Sequence, residues 1–172
     1  MPITPSTPVI RGALHADTAA IGEALRAYLV QTETEKIQHG VGTGPSRSGE
    51  LPPQYRAEVD NPTAALSDHL VLVAEIDRTI VGIVVLKTTA GASEIKRLWT
   101  SPVVRGRGIG SALLDEAITL AGSNPVTLTV WDWREAVVRM YVSRGFAQVE
   151  SWDERPRLIC MRRDARAERP TT

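Results

Sequence analysis

The fold is decided by one stretch of the chain, Ser101-Pro-Val-Val-Arg105-Gly106-Arg107-Gly108-Ile109-Gly110-Ser111. It lies between an apolar, β-branched run and a segment with helical spacing, which puts its glycines at the N-terminus of a helix. Unpaired N–H groups and the positive end of the helix dipole make such a terminus an anion site. Glycine also lets a phosphate approach the backbone closely. Residues 105–111, the glycine turn, are therefore predicted to bind a phosphate group.

Two familiar phosphate-binding motifs do not fit. A dinucleotide fingerprint needs glycine at position 111, where Ser111 stands, and it opens a domain after a first parallel strand. A P-loop needs Lys after its last glycine, but the nearest frame, residues 44–49, contains Pro45 and is followed by Glu50. On these grounds alone, a tight turn with solvated arginines remains an alternative to a binding site.

Hydrophobic periodicity predicts the elements on both sides of the glycine turn. Strands are predicted at residues 9–14, 69–76, 79–88, 93–100, 126–131, 147–151 and 157–161. Helices are predicted at residues 18–30, 108–121 and 134–143, with a glycine- and proline-rich loop at 39–53 and a second helical region after it. This order predicts an α/β (α+β) fold with a mixed, mostly antiparallel sheet of about six or seven strands.

The charge balance limits the classes of function. The 172 residues carry 20 Lys+Arg and 20 Asp+Glu, so the formal net charge is zero. A neutral chain argues against nucleic-acid binding through a global basic field, and the basic runs at 105–107 and 162–166 are short. Length predicts one domain at residues 9–163, with flexible tails at 1–8 and 164–172.

Metal-site and targeting signals are weak. Cys160 is the one cysteine, and His15, His39 and His69 are scattered without the spacing of metal ligands, so we expect no metal site. The N-terminus has no basic region followed by an apolar run, and no stretch approaches the ~20 apolar residues of a membrane span. We therefore expect a cytoplasmic protein without a membrane partner.

Three motifs in order resemble one family. The pattern Arg105-x-x-Gly108-x-Gly110 resembles the Gln/Arg-x-x-Gly-x-Gly/Ala signature of the GNAT superfamily of acyl-CoA-dependent N-acyltransferases. Upstream, Glu94-Ile-Lys-Arg-Leu-Trp-Thr-Ser-Pro looks like the family's fourth strand. Downstream, Met140-Tyr141-Val-Ser-Arg-Gly145-Phe146 is similar to its Leu-Tyr-x-x-x-Gly-Phe segment. The resemblance covers roughly residues 70–161.

The resemblance implies acetyl-CoA as cosubstrate. Its pyrophosphate would lie on the backbone of the glycine turn, which comprises Arg105, Gly106, Arg107, Gly108, Ile109, Gly110 and Ser111. Its pantetheine arm would lie between the fourth and fifth strands, which splay apart in the family, and contact the backbone of Leu98, Trp99 and Thr100. The N–H group of Leu98 would stabilise the oxyanion.

The resemblance also implies two proton-transfer groups. Tyr141 falls at the position of a phenol that protonates the departing CoA thiolate, and packing on the sheet is the alternative for this side chain. Glu94 falls where some members have a general base, acting directly or through water. A substrate-binding role, or an ion pair with Lys96 or Arg97, is the alternative for Glu94. Arg134 departs from the family, because many members have Asn there.

The expected reaction moves an acetyl group to a primary amine by direct attack. The acceptor would be a small molecule or a peptide, and a homodimer is compatible with the resemblance. A ring-bearing or cationic amine could stack on tryptophans near the site, although packing is the alternative role for those rings. A non-catalytic acyl-CoA-binding regulatory module is the competing function; it would need neither Glu94 nor Tyr141.

Overall fold

A computed structural model describes residues 6–42 and 50–165. The other residues comprise 1–5 of the predicted N-terminal tail, 43–49 of the predicted loop and 166–172 of the predicted C-terminal tail. Those parts of the three predictions lie outside the described residues.

The described residues form seven strands and five α-helices, with two short 3-10 helices at His15–Asp17 and Pro102–Val104. The strands are β1 (Val9–Gly12), β2 (Leu70–Ile76), β3 (Thr79–Thr89), β4 (Ala92–Thr100), β5 (Val126–Trp131), β6 (Ala147–Val149) and β7 (Leu158–Arg163). The helices are α1 (Thr18–Gln38), α2 (Pro53–Asp60), α3 (Pro62–Ala65), α4 (Ile109–Ala121) and α5 (Glu135–Ser143).

All seven strands join one sheet in the order β1-β2-β3-β4-β5-β7-β6. The pairs are antiparallel except β4 with β5, which run parallel and are connected through α4. The predicted mixed, mostly antiparallel sheet flanked by helices is thereby confirmed.

Helices cover both faces of the sheet. One apolar cluster joins α4 and α5 to the sheet through residues such as Leu113, Leu114 and Tyr141. A second cluster joins α1 and α2 to the other face, with Leu25 and Leu29 buried against it. This double coverage explains why the central strand β3 is buried continuously from residue 81 to residue 86.

The parallel pair β4–β5 opens at one end. Pairing runs from Ser93 opposite Val126 to Ile95 opposite Leu128 and then stops, although β4 continues to Thr100. Residues 96–100 and 129–131 therefore face each other without ladder hydrogen bonds, and we call this opening the strand gap. It confirms the predicted splay of the fourth and fifth strands.

The main difference from the sequence-based prediction concerns α1. The helix was predicted at residues 18–30 but runs to Gln38. Its last two turns, Gln-Thr-Glu-Thr-Glu-Lys-Ile-Gln, lack an apolar stripe, so periodicity does not detect them. Within the described ranges, no helix combines the length and the apolar character needed to cross a bilayer.

Candidate active site

A cavity of about 690 Å³ lies at the strand gap. One wall comes from the glycine turn and α5, and the opposite wall comes from α1 and α2 on the other face of the sheet. The cavity therefore passes through the sheet from one face to the other, between β4 and β5. Most of the predicted site residues line it: Leu98, Trp99, Thr100, Arg105, Gly106, Gly108, Ile109, Gly110, Ser111 and Tyr141.

The glycine turn has the backbone that an anion site needs. Gly106 and Gly108 both have φ of +78°, a left-handed conformation that favours glycine. An added Cβ at either position would meet no atom within 4 Å, so the space beside the turn is open. The first N–H groups of α4, which begins at Ile109, have no partner within the helix, and no described side chain caps them.

The two arginines of the glycine turn differ in their environment. The Arg105 guanidinium donates to the Thr100 carbonyl at 3.1 Å and to Gln31 Oε1 at 2.7 Å, which joins the turn to β4 and α1. Arg107 is exposed and does not line the cavity. Arg105 is therefore held in place, whereas Arg107 is available to a charged group outside the cavity.

The backbone of Leu98 faces the strand gap. Hydrogen-bonded and non-hydrogen-bonded residue pairs alternate along antiparallel strands, and the register of β3 and β4 is unbroken from Arg97 to Thr100. The Ser101 N–H donates to the Val81 carbonyl at 2.8 Å, so Trp99 also bonds to β3, whereas Leu98 turns its N–H away from β3. Since β5 pairing has stopped at Ile95, that N–H points into the cavity.

Tyr141 closes the cavity on the α5 side. Its side chain is buried, with 5% of the residue exposed, and its ring lies 5.6 Å from that of Phe146. Burial raises the pKa of the Tyr141 hydroxyl well above the ordinary value; the nearby Tyr28 raises it further, and Arg134 lowers it. The phenol therefore keeps its proton at neutral pH.

Glu94 lies apart from the other predicted site residues. It is half-buried in β4, opposite Thr127 of β5, where the two strands are still paired. It does not line the cavity. Neither predicted ion pair, with Lys96 or with Arg97, forms; Arg97 instead pairs with Glu58 of α2 at 3.1 Å.

A polar bridge between α1 and the β5–α5 turn was missed by the sequence reasoning. Glu35 accepts hydrogen bonds from Arg134 Nε at 2.7 Å, Trp133 Nε1 at 2.9 Å and Gln31 Nε2 at 2.6 Å. Arg134 also donates to Thr32 Oγ1 at 2.8 Å. Arg134 thus contacts α1 rather than solvent.

Hydrogen bonding decides the charge state of Glu35. Burial alone would raise its pKa, but the donors Gln31, Trp133 and Arg134 together hold the pKa below the ordinary value. The polar bridge therefore contains a carboxylate and a guanidinium. The signal that could have revealed it is Arg134, which stands where many members of the family have Asn. An arginine at the N-terminus of a helix needs an acidic partner from elsewhere.

Aromatic side chains form the wall farther from the glycine turn. Trp131 and Trp133 stack at 4.8 Å between ring centroids, and His39 stacks on Trp133 at 4.3 Å. Lys36 Nζ and Arg155 Cζ lie 6.0 and 5.9 Å from the Trp131 centroid. Three of the four tryptophans, Trp99, Trp131 and Trp133, line the cavity.

Among residues 6–42 and 50–165, no three His, Cys, Asp or Glu side chains lie together in a way that could hold an ion.

Sequence comparison connects this site with known proteins. Residues 67–148, just under half of the chain, match the model of the acetyltransferase (GNAT) domain family. None of the curated proteins matches the chain.

Solved structures share the fold over almost the whole chain. A structure described as histone acetyltransferase HPA2 and related acetyltransferase, from Corynebacterium glutamicum, is 21% identical with a TM-score of 0.69; the match covers 96% of this chain and 99% of that one. The PaiA N-acetyltransferase from Thermoplasma acidophilum, solved in complex with coenzyme A, is 22% identical with a TM-score of 0.66, over 92% of this chain and 99% of that one. A GNAT acetyltransferase from Staphylococcus aureus is 16% identical with a TM-score of 0.65, over 91% and 98%.

The family match covers the middle of the chain. That match runs from β2 to the start of β6 and includes the glycine turn, the strand gap and Tyr141. Residues 67–148 therefore match the acetyltransferase (GNAT) domain family, and the chain around them has the fold of solved acetyltransferases.

Proposed function

We propose that this protein transfers the acetyl group of acetyl-CoA to a primary amine by direct attack, without an acyl-enzyme intermediate. The observation that carries the proposal is the strand gap: the N–H of Leu98 turns toward it, and the glycine turn and Tyr141 line the same cavity. This arrangement offers an anion site, an oxyanion donor and a proton donor within one cavity.

The glycine turn would hold the pyrophosphate of acetyl-CoA. The unpaired N–H groups of Ile109, Gly110 and Ser111 point out of the α4 terminus, and the helix dipole favours negative charge there. The open space beside Gly106 and Gly108 allows phosphate oxygens to approach the backbone. The pantetheine arm would then run along Thr100, Trp99 and Leu98 as an added strand.

The N–H of Leu98 would donate a hydrogen bond to the developing oxyanion. When the amine nitrogen attacks the thioester carbon, the carbonyl oxygen becomes an oxyanion, and a donor aimed at that oxygen is usually worth about 3 kcal/mol. The donor is fixed in a strand, so it needs no reorganisation during the reaction.

Tyr141 would protonate the leaving group. As the tetrahedral intermediate collapses, the C–S bond breaks and the CoA thiolate takes a proton from the phenol. A thiol has a pKa of about 8.5. The raised pKa of Tyr141 keeps the phenol protonated, but it makes the transfer more uphill than for an ordinary tyrosine.

Glu94 would take the proton of the acceptor amine through water. Direct transfer is unfavourable because Glu94 lies in the paired part of β4 and does not line the cavity. Glu94 lies in β4 just before the strand gap, so transfer through a water molecule is the form of the base role that we propose.

The test is a thiol-release assay with acetyl-CoA against a broad panel of primary amines, with mass spectrometry of the acetylated product. We expect thiol release above the no-acceptor control with at least one amine. The product should be heavier than that amine by about 42 Da, the mass gained when an acetyl group replaces a hydrogen atom. Tight CoA binding without an acetylated amine would instead support the acyl-CoA-binding regulatory module. A cytoplasmic location and a homodimer stay predictions, tested by fractionation and by light scattering.

A further inference from the structure

Resting on the proposed function, we infer that the acceptor is a small amine that also carries a carboxylate, and that Arg155 binds that carboxylate. The site is the end of the cavity away from the glycine turn, which we call the acceptor end. It is walled by Tyr28, Tyr55, Trp131 and Arg155, on the face of the sheet that α1 and α2 cover.

The cavity is more positive than the chain. Among the described residues that line it, six are cationic and two are acidic, whereas the whole chain is neutral. The cations are Lys36, Lys96, Arg97, Arg105, Arg134 and Arg155, and the acids are Glu33 and Glu135. Only Arg105 belongs to the glycine turn, so the phosphates of the cosubstrate do not account for the excess. Carboxylates outside the wall pair with Arg97, Arg134 and Arg155, but the wall itself offers an anionic ligand more cationic than acidic side chains.

The acidic side chain at the acceptor end is already neutralised. Glu33 accepts hydrogen bonds from Lys36 Nζ at 2.9 and 3.2 Å. The carboxylates that pair with Arg97 and Arg155, those of Glu58 and Asp153, do not line the cavity. Glu135, the other acidic residue of the wall, pairs with Arg139 at 3.7 Å. A second ammonium group on the acceptor would therefore find no unpaired carboxylate in the described wall, which disfavours polyamines and other polycations.

The faces of Trp131 are occupied as well. Trp133 covers one side of Trp131, and Lys36 and Arg155 already lie over the Trp131 ring. A cationic acceptor would have to displace one of these groups or meet its repulsion. This argues against the cationic acceptor stacked on tryptophan that the sequence analysis left open.

Within the described residues, one edge of the Arg155 guanidinium has no hydrogen-bond partner. Asp153 Oδ1 and Oδ2 accept from its Nε at 2.9 Å and its Nη2 at 2.7 Å, so one edge of the guanidinium is fixed. Of the five N–H donors of arginine, that edge uses two, and Nη1 has no partner among the described residues. The remaining edge, Nη1 with the second Nη2 hydrogen, fits a carboxylate bidentately.

The experiment compares L-phenylalanine and L-glutamate with their α-amides, and with spermidine, as acceptors for the full chain and acetyl-CoA. We expect kcat/KM at least tenfold higher for an amino acid than for its amide, although the amide has the more easily deprotonated amine. Arg155→Gln should raise KM for the amino acid at least tenfold and leave KM for the amide unchanged. Arg162→Gln is the matched control, since Arg162 also pairs with an aspartate two residues away, at 2.6 Å, but does not line the cavity.

A binding measurement tests the inference without requiring the enzyme to turn over. Titration of N-acetyl-L-phenylalanine and of its amide into the CoA-saturated protein should show preference for the acid, and Arg155→Gln should abolish that preference. Equal use of acid and amide, or a preference for spermidine, would overturn the inference and leave the proposed function standing. Failure to acetylate any amine in either panel would overturn both.

Discussion

At the scale of single residues, the hydroxyl of Tyr141 is the group whose removal separates chemistry from binding. Tyr141→Phe keeps the ring packed on Phe146 and removes only the proton donor. General acid catalysis contributes about 10²–10⁴ in rate, so we expect kcat to fall by that order while the dissociation constant of CoA changes little. Stopped-flow thiol release measures kcat, and calorimetry measures the dissociation constant of CoA. An unchanged kcat would remove the acid role.

The raised pKa of Tyr141 predicts the behaviour of kcat at alkaline pH. A phenol ordinarily loses its proton near pH 10, and burial moves that step upward. The proposed acid acts in its protonated form, so wild-type kcat should show no alkaline fall caused by Tyr141 below about pH 10. A fall at lower pH that disappears in Tyr141→Phe would contradict the assignment.

Glu94→Gln tests the water-mediated base. A base acts only when deprotonated, so the substitution should flatten the acidic limb of the kcat/KM profile and lower the plateau by about tenfold or more. Glu116→Gln, an exposed position on α4, should leave both unchanged. If Glu94→Gln keeps the wild-type limb, bulk water or another group takes the proton.

At the scale of elements, the polar bridge fixes α1 against the β5–α5 turn. Glu35→Gln leaves the Arg134 guanidinium, whose side chain is 15% exposed, without its counter-charge. Loss of a charged partner at a part-buried site costs about 1–3 kcal/mol. We expect the free energy of unfolding to fall by that amount in urea titrations, whereas Glu23→Gln, exposed on the same helix, should be neutral.

The same pair predicts the pH dependence of that loss. The folded-state pKa of Glu35 is below its unfolded value of about 4.3, so its stabilisation is complete above that pH and is lost as the pH falls through the folded pKa. The gap between wild type and Glu35→Gln should therefore be widest near neutral pH and narrow below about pH 4. A gap that grows on acidification would contradict the charged bridge.

Local patterns predicted the elements where side-chain periodicity matches the geometry. α4 was predicted at 108–121 and begins at Ile109, and β5 was predicted with its observed bounds, because both bury a regular apolar set. The end of α1 could not be predicted, since it is held by Thr32 and Glu35, whose partner Arg134 is distant in sequence. The glycine turn is one continuous segment, so it could be located from the sequence. The proposed acceptor end is built from residues distant in sequence, so it could not.

At the scale of the whole molecule, neutrality conceals an uneven distribution of charge. Arginines concentrate around the cavity, and carboxylates such as Glu58 and Asp153 stand outside its wall, where they pair with those arginines. Composition alone reports their sum, so it excluded a global basic field without revealing the local positive site.

A ligand that binds only the folded protein must stabilise it. Saturation with CoA at 100 times its dissociation constant adds about 2.7 kcal/mol, which for a domain of this size corresponds to a rise in Tm of about 5–10 °C. Differential scanning calorimetry should show this rise, and it should grow with CoA concentration. A Tm that does not depend on CoA would mean that the cavity does not bind it.

Calorimetric titration of CoA tests the assignment of the glycine turn most directly, through the pair Gly108→Glu and Gly91→Glu. Both glycines have positive φ, +78° and +79°, and both have open space around the Cβ position, so the backbone strain is matched. Only Gly108→Glu puts a carboxylate at the proposed pyrophosphate site. The account predicts that Gly108→Glu weakens CoA binding by about 100-fold or more, equivalent to ~2.7 kcal/mol, while Gly91→Glu binds like wild type. Equal affinity in all three proteins would contradict it.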